Sequence, residues 1–327
     1  MRNLFRIYLE KPELAGLALL ILLAIVFDAR SGGAFLSPDN LRGMLGLLPE
    51  VGLVSIGVAI LMICGEFDLS VGSTFALTPM VTSLLIIADV PAFIAVVLGL
   101  LVAAAIGLLN GFITLTFAIP SFITTLGMLF IVRSLTVVIS GGFPPLLPDE
   151  LSTGIFTQFV GPGGLFRASF VWFVAIALIA SAMLDRSNLG NWIRATGGQL
   201  EAAGAMGVSA RRVKIFCFIL CSTLAGFGGV IQVFRLHSPL PSIGEGLELQ
   251  AVAAAVIGGT ALTGGVGTVL GAIVGALLIR VIDNGLVMTQ VDAGWFKFAV
   301  GTLTILAVIA NSWLGRTARS IKMETPA

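Results

Sequence analysis

Two acidic residues occupy a position where a lipid-embedded sequence rarely carries charge. Glu66 and Asp68 lie in the stretch GEFDLSVGS at 65–73, between two long apolar runs. An ionised aspartate near the centre of a bilayer helix costs about 2.5–3.5 kcal/mol, so such a residue usually faces a bundle interior or a wet cavity. On one continuous helix the two carboxylates would point about 200° apart. A break at Gly65 removes this conflict and predicts a broken helix beside a polar pathway.

A simple turn between two helices would also explain this stretch. Asp68 would then cap the following helix, whereas in the broken helix Asp68 or Ser70 would cap the following half-helix and Gly72 would let a neighbouring helix approach closely. The sequence leaves both interpretations open. Further candidate pathway residues are Asn110 and Thr125, which could bind a hydroxyl-rich ligand or join helices, and Glu248, which could bind such a ligand or cap its own helix.

The inventory of reactive side chains argues against catalysis by this chain. His237 is the only histidine, and neither a metal-ligand cluster nor a nucleophile–base pair is visible. The glycine-rich stretch 264–271 lacks both a surrounding β-α-β pattern and the lysine of a phosphate-binding loop. We therefore predict no catalytic residue, no metal and no cofactor on this chain. Small residues at a spacing of four predict helix packing instead, and these are Gly267, Gly271 and Gly275.

The composition predicts that lipid is the main solvent of this chain. Hydrophobic residues make up 57% of the 327 residues, charged residues 11%, and the mean hydropathy is +1.07. An ordinary soluble domain carries about 25% charged residues. The net charge of +1 argues against nucleic acid as a partner. At about 20 residues per span, the length allows about ten spans. The apolar stretches fall at about 14–28, 45–64, 70–88, 92–113, 121–139, 168–184, 213–235, 247–262, 267–283 and 295–313.

Charge distribution predicts the orientation of these spans. An even number of spans places both termini on one side, and cytoplasmic segments carry an excess of lysine and arginine. With cytoplasmic termini, that side holds eleven of the 18 basic residues, namely Arg2, Arg6, Lys11, Arg186, Arg194, Arg211, Arg212, Lys214, Arg316, Arg319 and Lys322. We predict an all-α polytopic membrane protein of about ten transmembrane helices, some broken or short, with both termini cytoplasmic. One transmembrane domain would cover 1–327, with tails at 1–13 and 315–327 and a cytoplasmic loop at 185–214.

A short helix is predicted within the cytoplasmic loop, at about 199–208. Leu200, Ala203 and Met206 recur at a spacing of three, which indicates an apolar stripe over about three turns. The flanking residues suit its limits, with Gly197 and Gly198 as breakers, Gly207 as a terminator and Ser209 as the N-cap of the next helix. Such a helix could present a rigid surface to a soluble partner, or it could be a connector lying on the surface.

Several motifs resemble one family of transport proteins. EAAGAMG at 201–207 resembles the EAA-type loop of bacterial ATP-binding-cassette importers. Over about 14–315, the chain is similar to the permease subunits for ribose and related monosaccharides. The segments that carry this similarity are GEFDLSVGS, LLNGFIT, IPSFITTLGMLFIVRSL, GLELQAVAAAVIGGTALTGGVGTVLGA and IDNGL. The sequence departs from the pattern of these permeases at Gly65-Glu66-Phe67 and at Gln250. Both departures bear on which sugar would be transported.

The resemblance implies a permease subunit of an importer in the bacterial cytoplasmic membrane. The cargo would be a ribose-like pentose, a hexose or a small polyol, delivered by an extracellular or periplasmic binding protein. A second permease copy or paralogue would complete the pathway, and ATP and Mg would bind a separate ATPase. That ATPase would dock on Glu201, Ala202, Ala203, Gly204, Gly207, Arg211 and Arg212. The alternative is a proton-coupled secondary transporter with Glu66, Asp68 and Glu248 as proton carriers.

Overall fold

Each of the ten predicted apolar stretches coincides with one helix of the structure. This computed structural model describes residues 13–148, 154–161, 164, 166–292 and 294–323. The helices that match the stretches are α1 (Glu13–Arg30), α2 (Pro38–Ile63), α3 (Val71–Ile87), α4 (Ala92–Thr116), α5 (Ser121–Ile139), α7 (Ala168–Arg186), α10 (Ala210–Leu236), α11 (Leu247–Ile257), α12 (Val269–Met288) and α13 (Trp295–Met323). The connections contain α6 (Gly154–Thr157), α8 (Asn188–Gly198), α9 (Leu200–Ala205) and a pair of short strands.

Six helices within the described residues are long and apolar enough to cross a membrane, namely α2, α4, α5, α7, α10 and α12. Helix α3, helix α11 and the apolar part of α13 at Trp295–Ile309 are shorter. The prediction of a helical, polytopic membrane protein is confirmed at this level. Helix α11 ends earlier than the predicted stretch 247–262 because Gly259, with φ of +92°, turns the backbone out of the helix.

Helices α2 and α10 form the centre of the bundle. Helix α2 begins at the N-cap Ser37, which accepts a hydrogen bond from Asn40 N, and it is buried along nearly its whole apolar length. The two helices approach so closely that a Cβ on Gly57 would lie 3.0 Å from Cys221 Cα. Because lipid gives helices little hydrophobic reason to associate, such backbone proximity is a main source of packing energy in a membrane.

Contacts between connections define one end of the bundle. Gly265 N donates to the carbonyl of Ile63 at 2.8 Å, and Phe67 N donates to Ser121 Oγ at 3.1 Å. The connections α2–α3, α4–α5 and α11–α12 therefore share this end.

The opposite end is defined by a second set of contacts. Leu147 N donates to the carbonyl of His237 at 3.4 Å. Asn40 and Asn284 exchange two amide hydrogen bonds, each of 3.0 Å. These bonds join the start of α2 to the last turns of α12, so these two helices run in opposite directions, as repeated crossing of a membrane requires.

The connection between α5 and α7 contains the only strands within the described residues. Strands β1 (Phe159–Val160) and β2 (Phe166–Arg167) pair in antiparallel register, with Phe159 opposite Arg167. The prediction of an all-α fold is correct apart from this small hairpin. Helix α13 continues into the predicted C-terminal tail as far as Met323. The predicted N-terminal tail lies outside the described residues except for its last position.

The connection between α7 and α10 differs from its prediction in three details. Helix α8 runs through Gly197 and Gly198, so these glycines do not break the chain, and Gln199 separates α8 from α9 instead. Helix α9 spans only Leu200–Ala205, because Gly207 adopts a φ of +79° soon after it. Ser209 occupies the N-cap of α10 but makes no side-chain capping bond.

Candidate functional site

The predicted break at Gly65 is present. Gly65 has a φ of +86°, and the chain leaves α2 at Ile63 and enters α3 at Val71. Glu66, just after the break, pairs with Lys214 of α10, with Nζ 2.5 Å from Oε1 and both side chains largely buried. This pairing neutralises one of the two acids that the sequence placed inside the bundle.

The second acid, Asp68, is completely buried in a polar network. Its Oδ1 accepts hydrogen bonds from Ser70 N at 2.8 Å and from Ser70 Oγ at 2.6 Å. Its Oδ2 accepts from Asn110 Nδ2 and from Ser222 Oγ, both at 3.2 Å. No ion pair reaches this carboxylate within the described part of the chain, so hydrogen bonds alone replace the water that it loses.

These bonds place the start of α3 inside the bundle rather than at its surface. Ser222 lies near the midpoint of α10, and Asp68 contacts it directly. Two hydroxyls of α5 hold the approaching backbone, because Ser121 Oγ accepts from Phe67 N and Thr125 Oγ1 accepts from Leu69 N, each at 3.1 Å. Ser121 and Thr125 are four apart and so share one helix face. The 64–70 connection, as we call this segment, therefore re-enters the bundle before α3 begins.

A second short helix, α11, begins close to the start of α3. The chain descends from the end of α10 through the segment 237–246, which we call the 237–246 connection, and Gly246 precedes α11 with a φ of +77°. Gly244 packs on Gly72, since a Cβ on Gly244 would lie 2.5 Å from the carbonyl oxygen of Gly72. Helices interrupted in this way turn the positive ends of their dipoles toward a common region, which is typical of transporter binding sites near the membrane midplane.

Arg133 of α5 holds these two segments together. Its Nη1 donates to the carbonyls of Pro241 at 2.7 Å and Ile243 at 2.8 Å, and its Nη2 donates to the carbonyl of Gly72 at 3.1 Å. The guanidinium carries several donors in a fixed plane, which suits a cluster of carbonyl oxygens. Arg133 is absent from the predicted pathway residues. The sequence signal that could have identified it is that Arg133 is the only charged residue of its span.

Glu248 lies beside this clamp and is half-buried. The charged groups that act on it are Arg133 and Glu245, and its carboxylate lies over Gly72, where a Cβ would collide with Oε2. The backbone N–H groups of Gly246 and Glu248 interact with this carboxylate, and within the described residues it has no ion pair and no hydrogen-bonded side-chain partner. A half-exposed carboxylate between two helix starts can accept hydrogen bonds from a hydroxyl-rich ligand.

The structure separates the predicted pathway residues into three places. Asp68, Ser70 and Asn110 form one network, because Asn110 Nδ2 also donates to Ser70 Oγ at 2.8 Å, and Thr125 adjoins it through the 64–70 connection. Glu66 lies toward the end of the bundle with Lys214. Glu248 lies on the other side of the start of α3.

The predicted packing glycines lie at close backbone contacts. A Cβ on Gly271 would collide with the carbonyl of Gly258, and one on Gly275 with the carbonyl of Ala254, so α12 lies directly against α11. Gly267 precedes α12 rather than belonging to it, and its φ is +156°. The predicted stripe of three is therefore a stripe of two on the helix, preceded by one loop glycine that lies against Ile63.

A shallow groove of about 480 Å³ lies beside the predicted docking residues, and of these only Ala202 and Ala203 line it. Glu201, Ala202, Gly204, Gly207, Arg211 and Arg212 are exposed, whereas Ala203 is buried. Leu200 and Met206 are 51% and 84% exposed, whereas Ala203 points inward. These three residues therefore do not form one apolar face of the helix. Arg211 donates to Thr116 Oγ1 at 3.0 Å, which ties the start of α10 to the end of α4.

Comparison with known proteins gives these features a context. The family model described as branched-chain amino acid transport system / permease component matches residues 40–308. The ribose import permease protein of Escherichia coli K12 is 33% identical over 297 residues, which cover 90% of this chain and 92% of that protein. The xylose/arabinose import permease protein of Sulfolobus acidocaldarius is 30% identical over 92% of this chain and 85% of its own length.

A third relative is the L-arabinose ABC transporter permease protein of Azospirillum brasilense, which is 31% identical over 88% of this chain and 84% of its own length. No solved structure matches the chain significantly. Both the family model and these relatives extend across the helices that form the two breaks. The chain therefore belongs to the family of transport-system permease components, as the resemblance of its motifs predicted.

Proposed function

We propose that this chain is the membrane-spanning permease subunit of an ATP-driven importer. Its cargo is a monosaccharide or a small polyol. The monosaccharide is a hexose or a pentose such as ribose, xylose or arabinose. The observation that carries this proposal is the alignment with ribose, xylose/arabinose and arabinose permeases over about nine tenths of the chain. The subunit itself is not an enzyme, and a partner ATPase binds ATP and Mg.

The proposed topology has ten spans in the bacterial cytoplasmic membrane, with both termini in the cytoplasm and one transmembrane domain over the whole chain. The bias of basic residues toward one side supports it. The two sets of contacts between connections also agree with it. Under this topology the 64–70 connection enters from the cytoplasm, and the 237–246 connection enters from outside.

The cytoplasmic ATPase docks on the connection between α7 and α10, in the loop 185–214. Support comes from the exposed apolar tip at Met206, the groove beside it and the exposed charges of Glu201, Arg211 and Arg212. An isolated exposed methionine of this kind gains by burial in a partner. Helix α9 is then the part of the permease that the ATPase holds.

The sugar passes close to Glu248 and Arg133, where the two short helices begin. A second permease copy or a paralogue faces this region and completes the pathway, while a binding protein contacts 140–167 and 236–246 from outside. Because the binding protein supplies affinity, the permease needs only weak contacts to the sugar. The scarcity of aromatic residues suited to stacking on sugars, with one tyrosine and four tryptophans, agrees with this division.

Proton coupling is less compatible with the arrangement of the acids. Glu66 is engaged with Lys214, and Asp68 is saturated by hydrogen bonds from three residues. A proton carrier must exchange protons with water on each side in turn, whereas Asp68 is fully buried. Only Glu248 of the three has partial access to solvent.

Reconstitution in liposomes tests the function. The chain is purified with the ATPase and binding protein encoded beside it, and uptake of labelled ribose, xylose and arabinose is measured. We expect uptake that requires ATP on the side of the membrane where the ATPase lies. This uptake should persist without a proton gradient. Uptake that follows an imposed proton gradient and ignores removal of the ATPase would overturn the proposal.

Charge reversal tests the docking segment separately. Glu201→Lys is expected to abolish co-purification of the ATPase while the permease still inserts in the membrane. Asp39→Lys is the matched control, because the Asp39 side chain is 93% exposed at the opposite end of the bundle. Normal ATPase binding by Glu201→Lys would show that the docking site lies elsewhere.

A further inference from the structure

Three chain segments meet through glycines beside the docking segment. Gly65 belongs to the 64–70 connection, Gly197 and Gly198 end α8, and Gly264 and Gly265 lie between α11 and α12. We call Gly65, Gly197, Gly264 and Gly265 the glycine junction, and Gly198 is left out because a Cβ there would make only an ordinary contact. Gly65, Gly264 and Gly265 have φ values of +86°, +82° and +78°, a conformation that other residues rarely adopt.

The backbones in the glycine junction are in direct contact. A Cβ on Gly197 would collide with the carbonyl oxygen of Ile63 and would lie 2.9 Å from both Cys64 C and Gly265 N. A Cβ on Gly264 would lie 2.7 Å from the carbonyl oxygen of Gly197. The junction therefore has no room for a side chain at either position.

Hydrogen bonds connect the same three segments. Gly265 N donates to the carbonyl of Ile63 at 2.8 Å, which joins the α11–α12 connection to the end of α2. Arg194 of α8 donates from Nη1 to the carbonyl of Gly267 at 2.8 Å and from Nη2 to Asp185 at 2.6 Å. Helix α8 is thus bound to the α11–α12 connection by a side chain as well as by backbone contact.

The glycine junction lies between the proposed docking segment and the two short helices. Only Gln199 separates Gly198 from α9, the helix on which the ATPase is proposed to dock. The 64–70 connection leads directly into α3, and the connection that contains Gly264 follows directly after α11. One end of the junction therefore adjoins the docking segment, and the others adjoin the two short helices that border the proposed sugar pathway.

We infer that the glycine junction transmits movement of the docking segment to the two short helices, with Gly197 as the positioning residue at its centre. The inference rests on the proposed function. Flexible side chains between two segments could rearrange and absorb a displacement, whereas touching backbones pass it on, because packed interiors resist compression. Glycine permits this contact, and a single added methyl group forces the segments apart.

Gly197→Ala is the direct test, with Gly198→Ala as its matched control. Both residues are helical and have no positive φ, so alanine suits the helix at either position. A Cβ on Gly198 would meet only Gly265 Cα, at an ordinary contact distance of 3.6 Å. In reconstituted transporters we measure ATPase co-purification, ATP hydrolysis and sugar uptake for each variant.

We expect Gly197→Ala to retain ATPase binding and hydrolysis while uptake per ATP falls about tenfold, because overpacking displaces the backbones. Gly198→Ala should stay within about twofold of the unmodified protein, as an unstrained substitution does. Unchanged uptake per ATP in Gly197→Ala would overturn the inference and leave the proposed function intact. Failure of the unmodified protein to couple uptake to ATP would instead refute the proposed function.

Arg194→Lys keeps the inference testable if Gly197→Ala does not assemble. Lysine keeps the charge beside Asp185 but cannot hold both the carboxylate and the carbonyl of Gly267 in the same planar arrangement. We expect uptake per ATP to fall about threefold with normal ATPase binding, the effect of one weakened hydrogen bond. Full coupling in this variant would overturn the inference.

Discussion

Two connections enter the helix bundle from opposite ends, and each leads into a short helix, yet their acidic residues are treated differently. In the 64–70 connection, Asp68 is completely buried and accepts four hydrogen bonds. After the 237–246 connection, Glu248 is half-buried and has no hydrogen-bonded side-chain partner among the described residues. The first carboxylate is therefore fully engaged by the protein, whereas the second interacts only with backbone N–H groups at Gly246 and Glu248 and keeps acceptor positions for a ligand.

This difference separates a structural acid from a candidate acid of the proposed pathway. A carboxylate has about four acceptor positions, and a buried one with four donors has none left for a ligand. The network of Asp68 with Ser70, Asn110 and Ser222 holds α3 against α4 and α10. The comparison predicts that damage to the 64–70 connection destroys stability, whereas damage near Glu248 mainly affects transport.

Removal of the buried carboxylate should have the largest effect. Asp68→Ala removes the acceptor of four buried hydrogen bonds from three residues, and each buried donor left unpaired costs about 1–3 kcal/mol. We expect little assembled transporter, measured by size-exclusion chromatography of the detergent-solubilised complex. Asp68→Asn keeps one acceptor oxygen and should assemble with a lowered unfolding temperature. An Asp68→Ala protein that is fully stable but cannot transport would assign this acid to the pathway and contradict its structural role.

Loss of the clamp between the two connections should have an intermediate effect. Arg133→Gln removes the donors that reach the carbonyls of Gly72, Pro241 and Ile243. Gly72 and Ile243 are buried and Pro241 is half-buried, so we expect the loss of these donors to lower the unfolding free energy by about 1–3 kcal/mol. Uptake should fall as the two helix starts separate. Arg133→Lys serves as the control and should retain part of both properties. If Arg133→Gln matches the unmodified protein in unfolding free energy and in uptake, Arg133 does not hold the two connections together.

Neutralisation of the half-buried acid should have the smallest effect on stability. Glu248→Gln preserves shape, and a change away from buried networks alters unfolding free energy by about 0.5 kcal/mol or less. Transport should respond more strongly, with the apparent KM for the delivered sugar rising about tenfold if one charged hydrogen bond is lost. A destabilised protein with unchanged transport kinetics would reverse the roles that we assign to Glu248 and Asp68.

Much of the fold could be predicted because apolar stretches and breakers are local signals. The ten stretches, the break at Gly65 and the turn at Gly207 each depend on residues within a few positions. The start of α3 inside the bundle was not predictable in this way. It depends on Asp68 meeting Ser222, which lies 154 residues further along the chain.

The clamp and the glycine junction illustrate the same limit. Arg133 contacts carbonyls 108 and 110 residues away, and backbone carbonyls carry no mark in a sequence. Gly197 and Gly198 were predicted to break a helix on the basis of their low helix propensity, but both lie within α8. Close contact with the backbones of Ile63 and Gly265 explains why glycine is required there in spite of that propensity.

Accessibility of the docking segment tests the central claim most directly, namely that a cytoplasmic ATPase holds the connection between α7 and α10. Met206→Cys and Phe143→Cys place thiols at positions that are 84% and 78% exposed, on opposite sides in the proposed topology. The native Cys64, Cys217 and Cys221 are buried and should give little background. Labelling uses a membrane-impermeant maleimide on spheroplasts.

We predict that intact spheroplasts label at Phe143→Cys but not at Met206→Cys. After permeabilisation, Met206→Cys should react when the permease is produced without its ATPase, and it should be protected when the ATPase is bound. Labelling of Met206→Cys in intact spheroplasts would place the docking segment outside the cell and contradict the account.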